Sequence, residues 1–320
     1  MGDAVTLEHP PHAPERGWAR KLLGPLHVTG IFWYRFHRWG ISILPDWGVT
    51  VFITIFTTFF FVALRRIRAA IASNLEPVLG PCGWLERQRR IFRTMWLFAW
   101  CLSERYERLA TKKPFRIEAD LPHAWDEVIA RGCGFVMVTA HVGNFEVGSM
   151  LPAMRGERIV HVVREKEVDP RAQQFVQQLM DSIGQAGYRV HFEGSDPLQG
   201  MALLEALRGG EIVAVQGDRP RAQSRTVPGT LFGRPFDLPA GPAALARGAG
   251  VPVVPIVVRR EGRRAYRVHI RPPLEPRSDR HREAIADLTR AIAAEVEWAI
   301  RQAPHQWFCF RTIWPASTSR

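Results

Sequence analysis

Residues 135–146 read Phe-Val-Met-Val-Thr-Ala-His-Val-Gly-Asn-Phe-Glu, and this stretch decides the fold. Phe135-Val136-Met137-Val138 is an unbroken apolar run with no polar alternation, which is how a strand covered on both faces reads. A histidine follows at once, then Gly143-Asn144, then a second apolar start carrying Glu146. Strand, tight turn and helix make the unit of an open α/β sheet, and such sheets keep their chemistry beyond the carboxyl ends of the strands. His141 stands at that place.

The spacing of His141 and Glu146 carries its own geometry. Five positions along one helix rotate by about 140°, so the two side chains would face apart if both were helical. They meet only with His141 in the loop and Glu146 in the first helical turn. Gly143 permits the bend. Asn144 suits the N-cap of a helix starting at Phe145, and a carboxylate in the first turn is favoured by the helix dipole. A histidine held by a carboxylate is a proton acceptor for a hydroxyl.

Further apolar runs extend the pattern. Strands are expected at 135–140, 159–164, 188–192, 212–216, 251–258, 266–270 and 307–311. Helices are expected at 122–131, 145–154, 170–185, 198–208, 240–249 and 280–302. Alternation of this kind predicts an α/β fold with a mostly parallel or mixed sheet flanked by helices. Prolines Pro252 and Pro255 within the run 251–258 point to an edge strand or a bulge. Gly229 to Pro235 reads as a hairpin or loop. The small residues at 238–246 suit a helix that approaches a backbone or an acyl chain closely.

Two more strands close on polar residues. Val162-Val163 leads into Arg164, and an arginine there can clamp a phosphate or carboxylate bidentately. Gln216-Gly217-Asp218-Arg219-Pro220 follows the run Ile212 to Val215, with Gly217 permitting a sharp turn. His141, Arg164, Asp218 and Arg219 are therefore expected around one crevice.

The chain has 320 residues, 46% of them apolar, and a formal charge of +12. Such a surface attracts anionic partners, namely phospholipid head groups, nucleic acid or an acidic carrier protein. No zinc knuckle, RNA-binding signature or helix-turn-helix is present, which counts against nucleic acid. Cys82, Cys101, Cys133 and Cys309 are scattered without a C-x-x-C pair, which fits a reducing compartment and argues against a zinc site. The first residues, with Asp3, Glu8 and Glu15, lack a signal-peptide layout.

Gly48 to Leu64 contains no charge and is near the lower length limit for crossing a bilayer. Arg65, Arg66 and Arg68 follow, and by the positive-inside tendency they place the downstream chain in the cytoplasm. Trp33, Tyr34, Trp39 and Trp47 lie upstream as interface anchors. Membrane insertion, spanning or re-entrant, is expected, against a buried or an interfacial helix. Four zones result: a membrane-associating region at 1–75, an amphipathic helical region at 76–112 with its arginines interleaved among apolar residues, a catalytic domain at 113–314 and a flexible tail at 315–320.

In order, the segments Asn74-Leu75 with the arginine-rich helix after it, His141 to Glu146, Arg164, Gln216 to Pro220, Phe232 to Pro235 and Trp307 to Trp314 resemble the late acyltransferases of lipid A biosynthesis. These are the lauroyl and myristoyl transferases that acylate a phosphorylated glycolipid. More broadly, the set is similar to the glycerolipid H-x4-D/E acyltransferases. The resemblance implies an enzyme of the bacterial inner membrane whose active site faces the cytoplasm. It implies an acyl thioester donor, on acyl carrier protein or coenzyme A, a lipid A precursor as acceptor, and no metal or redox cofactor. His141 matches the catalytic histidine and Glu146 its paired acid. Arg164 and Asp218-Arg219 match blocks that bind the acceptor or shape the site. Backbone N–H groups near Gly143 are candidates for contact with the tetrahedral oxyanion, and Asn144 belongs to the same substrate-facing turn. Two features depart from relatives: the apolar lead segment is only just long enough to span, and residues 307–312 hold one arginine where a more basic stretch is common. Other acceptors (a lysophospholipid, an ornithine lipid), a hydrolase, and a catalytically degenerate basic membrane-binding protein are the competing readings.

Overall fold

The computed structural model describes residues 39–40, 43–111, 114–120, 123–145, 158–164, 187–192, 198–220, 224–277 and 283–314. The expected helix at 170–185, residues 1–38 and the tail at 315–320 lie outside them.

Three helices lead. α1 spans Asp46–Ala63, α2 Arg65–Leu79 and α3 Trp84–Thr111. α1 is helical despite its β-branched and aromatic composition. The Thr50, Thr54 and Thr58 hydroxyls turn inward and donate to the carbonyls four residues earlier, at 3.2, 2.8 and 2.8 Å, which removes their competition with the helix for water. Val49 and Ile53 pack on Ala99 and Trp100 of α3. The helix expected to begin at 76 begins instead at Trp84. α2 closes on Gly80, whose φ of 76° is a left-handed value that glycine takes without strain, and Pro81 follows with its fixed φ.

The rest of the described chain is built on a seven-stranded sheet. Its strands are β1 (Arg116–Asp120), β2 (Phe135–Thr139), β3 (Val160–Arg164), β4 (Tyr188–Phe192), β5 (Ile212–Gln216), β8 (Val253–Gly262) and β9 (Ala265–Ile270), in the order β1-β9-β8-β2-β5-β3-β4. All neighbours are parallel except the hairpin pair β8 and β9. β6 (Thr226–Leu231) and β7 (Arg234–Pro239) form a separate antiparallel pair, which is the hairpin expected around Gly229 to Pro235.

The continuous apolar strands divide their residues strictly between two faces. Val136, Val138, Val213 and Val215 pack against Leu203 and Leu207 of α5 (Gln199–Arg208), Ala243 and Ala246 of α6 (Gly241–Ala249), and Ile292 and Val296 of α7 (Ala284–Gln302). Phe135, Met137, Ile212 and Ala214 face the other way, onto Trp125 and Val128 of α4 (His123–Ala130). Burial on both faces is what the unbroken runs required.

Two strand expectations are corrected. β8 is not an edge strand, because β2 and β9 flank it. Its Pro255 costs no ladder bond to β9, since that ladder begins at Ile256. Residues 307–311 form no strand: Trp307 makes a single bridge with Val142, and the chain then tightens through a bond from Cys309 N–H to the Trp307 carbonyl (3.1 Å). β1 was not expected, and its mostly exposed burial pattern explains why.

α3 is fastened to the sheet by a buried ion pair. Glu104, fully buried, receives both Arg260 Nε (3.0 Å) and Nη2 (2.8 Å), the Arg264 N–H (3.0 Å) and the Tyr266 hydroxyl. Arg260 also lies over the Trp100 ring at 4.9 Å. Removing one member of such a pair leaves a buried charge alone and costs about 3–5 kcal/mol. Glu104→Ala should therefore lower the urea midpoint sharply, whereas Glu104→Met combined with Arg260→Met should recover most of the loss. Equal midpoints for the single and double variants would show that the pair is not what holds α3.

Candidate active site

β2, β5 and β3 lie side by side and parallel, so His141, Asp218 and Arg164 leave the same edge of the sheet. The register pairs Thr139 with Gln216, and the Gly217 N–H donates back to the Thr139 carbonyl at 2.8 Å. That bond sets the height at which both chains turn off the sheet. His141 Nδ1 then meets Asp218 Oδ1 at 2.6 Å. Asp218 is fully buried, and its second oxygen accepts the Trp307 indole N–H at 2.9 Å. Burial opposes the charge of Asp218. The attraction and hydrogen bond of His141, the Arg219 charge and the Trp307 N–H outweigh it and hold the carboxyl below the usual carboxylate range. An ionised carboxylate on Nδ1 favours a proton there, which makes Nε2 the basic nitrogen.

The loop around His141 is built by three neighbours. The His141 carbonyl accepts the Phe308 N–H (2.8 Å) and the Gly143 N–H donates to the Gln306 carbonyl (2.9 Å). The Gln306 side chain in turn copies a strand edge, accepting the Arg260 N–H and donating to the Arg260 carbonyl, both at 2.8 Å. Gly143 has φ of +59° and pairs with Val258; a Cβ there would lie 2.0 Å from the Val258 carbonyl oxygen. Only glycine fits.

The remaining expected residues fall as follows. Asn144 is buried, and its amide donates to the Cys101 carbonyl (3.4 Å) and the Tyr266 hydroxyl (3.3 Å), tying the turn to α3 and β9. Two N–H groups of this turn are already engaged: Val142 donates to the Ala140 carbonyl at 2.6 Å, and Gly143 donates as stated. Arg219 reaches the Phe308 carbonyl through Nη1 at 3.4 Å. Glu146 lies outside the described residues. Phe145, the last described residue of this turn, sets its ring edge-on to His141 at 5.1 Å.

The pairing of Asp218 with His141 was not legible in the sequence, where Asp218 reads as a substrate-facing residue. It depends on β2 and β5 being neighbours, and strand order is not encoded in local pattern. Trp307 was also missed as a donor. Its signal was a buried-type residue after α7 carrying a polar N–H that must find a partner. Burial pushes the Cys101 thiol well up, with Glu104 adding to it, and burial raises Cys309 too. Neither cysteine is a ready thiolate nucleophile.

Comparison with known proteins bears on the whole arrangement. A family model described as bacterial lipid A biosynthesis acyltransferase matches residues 20–315. Phosphatidylinositol mannoside acyltransferases from two Mycobacterium tuberculosis strains, CDC 1551 / Oshkosh and ATCC 25618 / H37Rv, are each 26% identical over 265 residues, covering 78% of this chain and 78% of their own. The crystal structure of the 1-acyl-sn-glycerophosphate acyltransferase PlsC from Thermotoga maritima aligns with 77% of this chain and 94% of its own, at 12% identity and a TM-score of 0.34.

Gly143→Ala is expected to destabilise the protein by at least about 2 kcal/mol, from the left-handed conformation and the forced displacement of Val258. Thermal unfolding of the purified variant measures this. An unchanged melting temperature would mean that the turn is not held against β8.

Proposed function

Since the chain belongs to the bacterial lipid A biosynthesis acyltransferase family, we propose that it moves a fatty acyl group from a thioester on acyl carrier protein or coenzyme A to a hydroxyl of a membrane glycolipid, foremost a lipid A precursor. The observation that carries the reading is the 2.6 Å bond between His141 and buried Asp218 at the exit of the sheet.

In this mechanism His141 Nε2 takes the proton of the acceptor hydroxyl as its oxygen attacks the thioester carbonyl. The tetrahedral intermediate collapses, the C–S bond breaks, and the imidazolium returns the proton to the departing thiolate. The products are a lipid ester and a free thiol. Asp218 fixes the tautomer and stabilises the imidazolium, as the carboxylate does in a serine-protease triad. Glu146 is retained in this reading as the second acid of the motif. Arg164 or Arg219 would hold a phosphate of the acceptor bidentately. No protein nucleophile enters the scheme. On this reading the enzyme works at the bacterial inner membrane with this face toward the cytoplasm.

A second acceptor class is favoured by one finding. The mycobacterial relatives are named for phosphatidylinositol mannosides, so a glycosylated phospholipid is the alternative to lipid A. Both acceptors combine a membrane anchor, a phosphate and a sugar hydroxyl.

The test is transfer from a radiolabelled acyl thioester to a panel of phosphorylated glycolipids, lysolipids and water. His141→Ala should lower kcat by about 10² to 10⁴, the worth of general-base assistance, with unchanged circular dichroism. Asp218→Asn keeps the shape but favours the wrong tautomer, and a loss on the order of 10⁴ is expected. Near-normal turnover in purified His141→Ala would refute the general-base role.

Arg164→Ala should raise the acceptor KM about tenfold or more, the loss of one charge-assisted contact of roughly 1.5–3 kcal/mol, and leave the donor KM alone. An unchanged acceptor KM would assign Arg164 to structure instead.

A further inference from the structure

α1 is the one helix among the described residues that is long and apolar enough to cross a membrane. Its surroundings argue against crossing. α1 runs antiparallel to α3: Phe61 meets Phe92 with rings 5.6 Å apart, Thr54 accepts the Trp96 N–H at 3.3 Å, and Val49 and Ile53 pack on Ala99 and Trp100. At its amino end Asp46 pairs with Arg263 (2.8 Å) and Arg264 (3.2 Å) of the β8–β9 turn. At its carboxyl end Phe60 and Phe61 join a cluster with Ile71 and Leu75 of α2 and with Phe310. α2 is bound there too, because Asn74 donates to the carbonyls of Cys309 and Arg311 at 3.0 and 2.8 Å. Both ends of α1 are thus fastened to the same α/β body.

A spanning helix needs its ends on opposite sides of about 30 Å of hydrocarbon. With α1 upright, the α/β body would be drawn into that layer along the helix's whole length. α3 would bring Arg90, Arg93, Glu104 and Glu107, β8 would bring Arg260, and the β8–β9 turn would bring Arg263 and Arg264. A charged side chain at the bilayer centre costs about 2.5–3.5 kcal/mol even on the lowest scale.

The outer face of α1 has no such conflict. Trp47, Val51, Ile55, Phe59 and Val62 recur every three or four residues and are 51 to 74% exposed, which makes one continuous apolar stripe. Arg65 and Arg66, both exposed, stand at its carboxyl end, and Trp39 and Ile43 continue it at the amino end. The Thr50, Thr54 and Thr58 hydroxyls are satisfied within the helix, so none of these three needs water. An apolar stripe bordered by arginine and tryptophan suits a helix lying at an anionic lipid surface.

We propose that α1 does not cross the bilayer but lies in its plane, its stripe Trp47, Val51, Ile55, Phe59 and Val62 sunk into one leaflet of an anionic membrane and its inner face kept on α3. This stands independently of the acyl-transfer reading. The arginines after α1 then contact head groups of the leaflet that receives the stripe.

The depth of the stripe decides it. In full-length protein carrying Cys82→Ser and Cys133→Ser, single changes Val51→Cys, Ile55→Cys and Phe59→Cys are labelled with an environment-sensitive fluorophore. The protein is added to phosphatidylcholine–phosphatidylglycerol vesicles holding a spin label at a shallow or a deep acyl position. The expected result is that all three sites lose more fluorescence to the shallow quencher than to the deep one, by similar amounts. Deep quenching at Ile55 would show a spanning helix and overturn the proposal. Absence of lipid quenching at all three would also overturn it, showing the stripe covered by a second copy or another protein. Arg65→Glu with Arg66→Glu should weaken vesicle binding at low salt several-fold, and no change would remove the anionic-lipid part of the claim. His141→Ala should keep the depth profile of the unaltered protein, which separates this result from the fate of the acyltransferase reading.

Discussion

A single buried carboxylate organises the centre of this protein. Asp218 has no exposure to solvent, yet it stays ionised because His141 and Trp307 each give it a hydrogen bond. A buried charge is tolerated only with such partners. The three residues come from the ends of β2 and β5 and from the segment after α7, so satisfying one carboxylate fixes three otherwise separate pieces of chain. Site and core are the same construction here.

A second buried carboxylate does for the helical region what Asp218 does for the loops. Glu104 gathers Arg260, the Arg264 N–H and Tyr266, and Tyr266 lies within reach of Asn144 in the histidine turn. The connection from α3 to His141 therefore passes through hydrogen bonds, with no flexible linker between. α3 is the wall between the outer helix α1 and the histidine turn, about one helix diameter thick, or 10–12 Å. A lipid head group beside α1 is close to the edge of the sheet for that reason alone.

What the sequence disclosed and what it withheld follow from the range of the forces involved. Strands with unbroken apolar residues, such as Phe135 to Val138 and Ile212 to Val215, were readable because burial on two faces leaves no room for polar alternation. The polar residues at their ends, His141, Arg164 and Asp218, were readable as a common edge for the same reason. The neighbour relation of β2 and β5 was not readable, and with it went the partner of His141. β1 escaped because an exposed edge strand rich in charge carries no periodic signal. Residues 307–311 looked like a strand, since an aromatic run is apolar in any role. They serve instead as a strut that donates from Trp307 and Phe308. Pro255 suggested an edge; its missing N–H falls where β9 has already ended.

That strut has a consequence for how the molecule comes into being. Trp307 is made after the nine strands of the described residues and after α7, so a nascent chain holds its histidine and aspartate for some time before the indole that steadies them exists. During that interval Asp218 lacks the indole hydrogen bond. Until residue 307 is added the His141–Asp218 pair lacks its third member, and a chain cut before that residue would hold the pair more loosely.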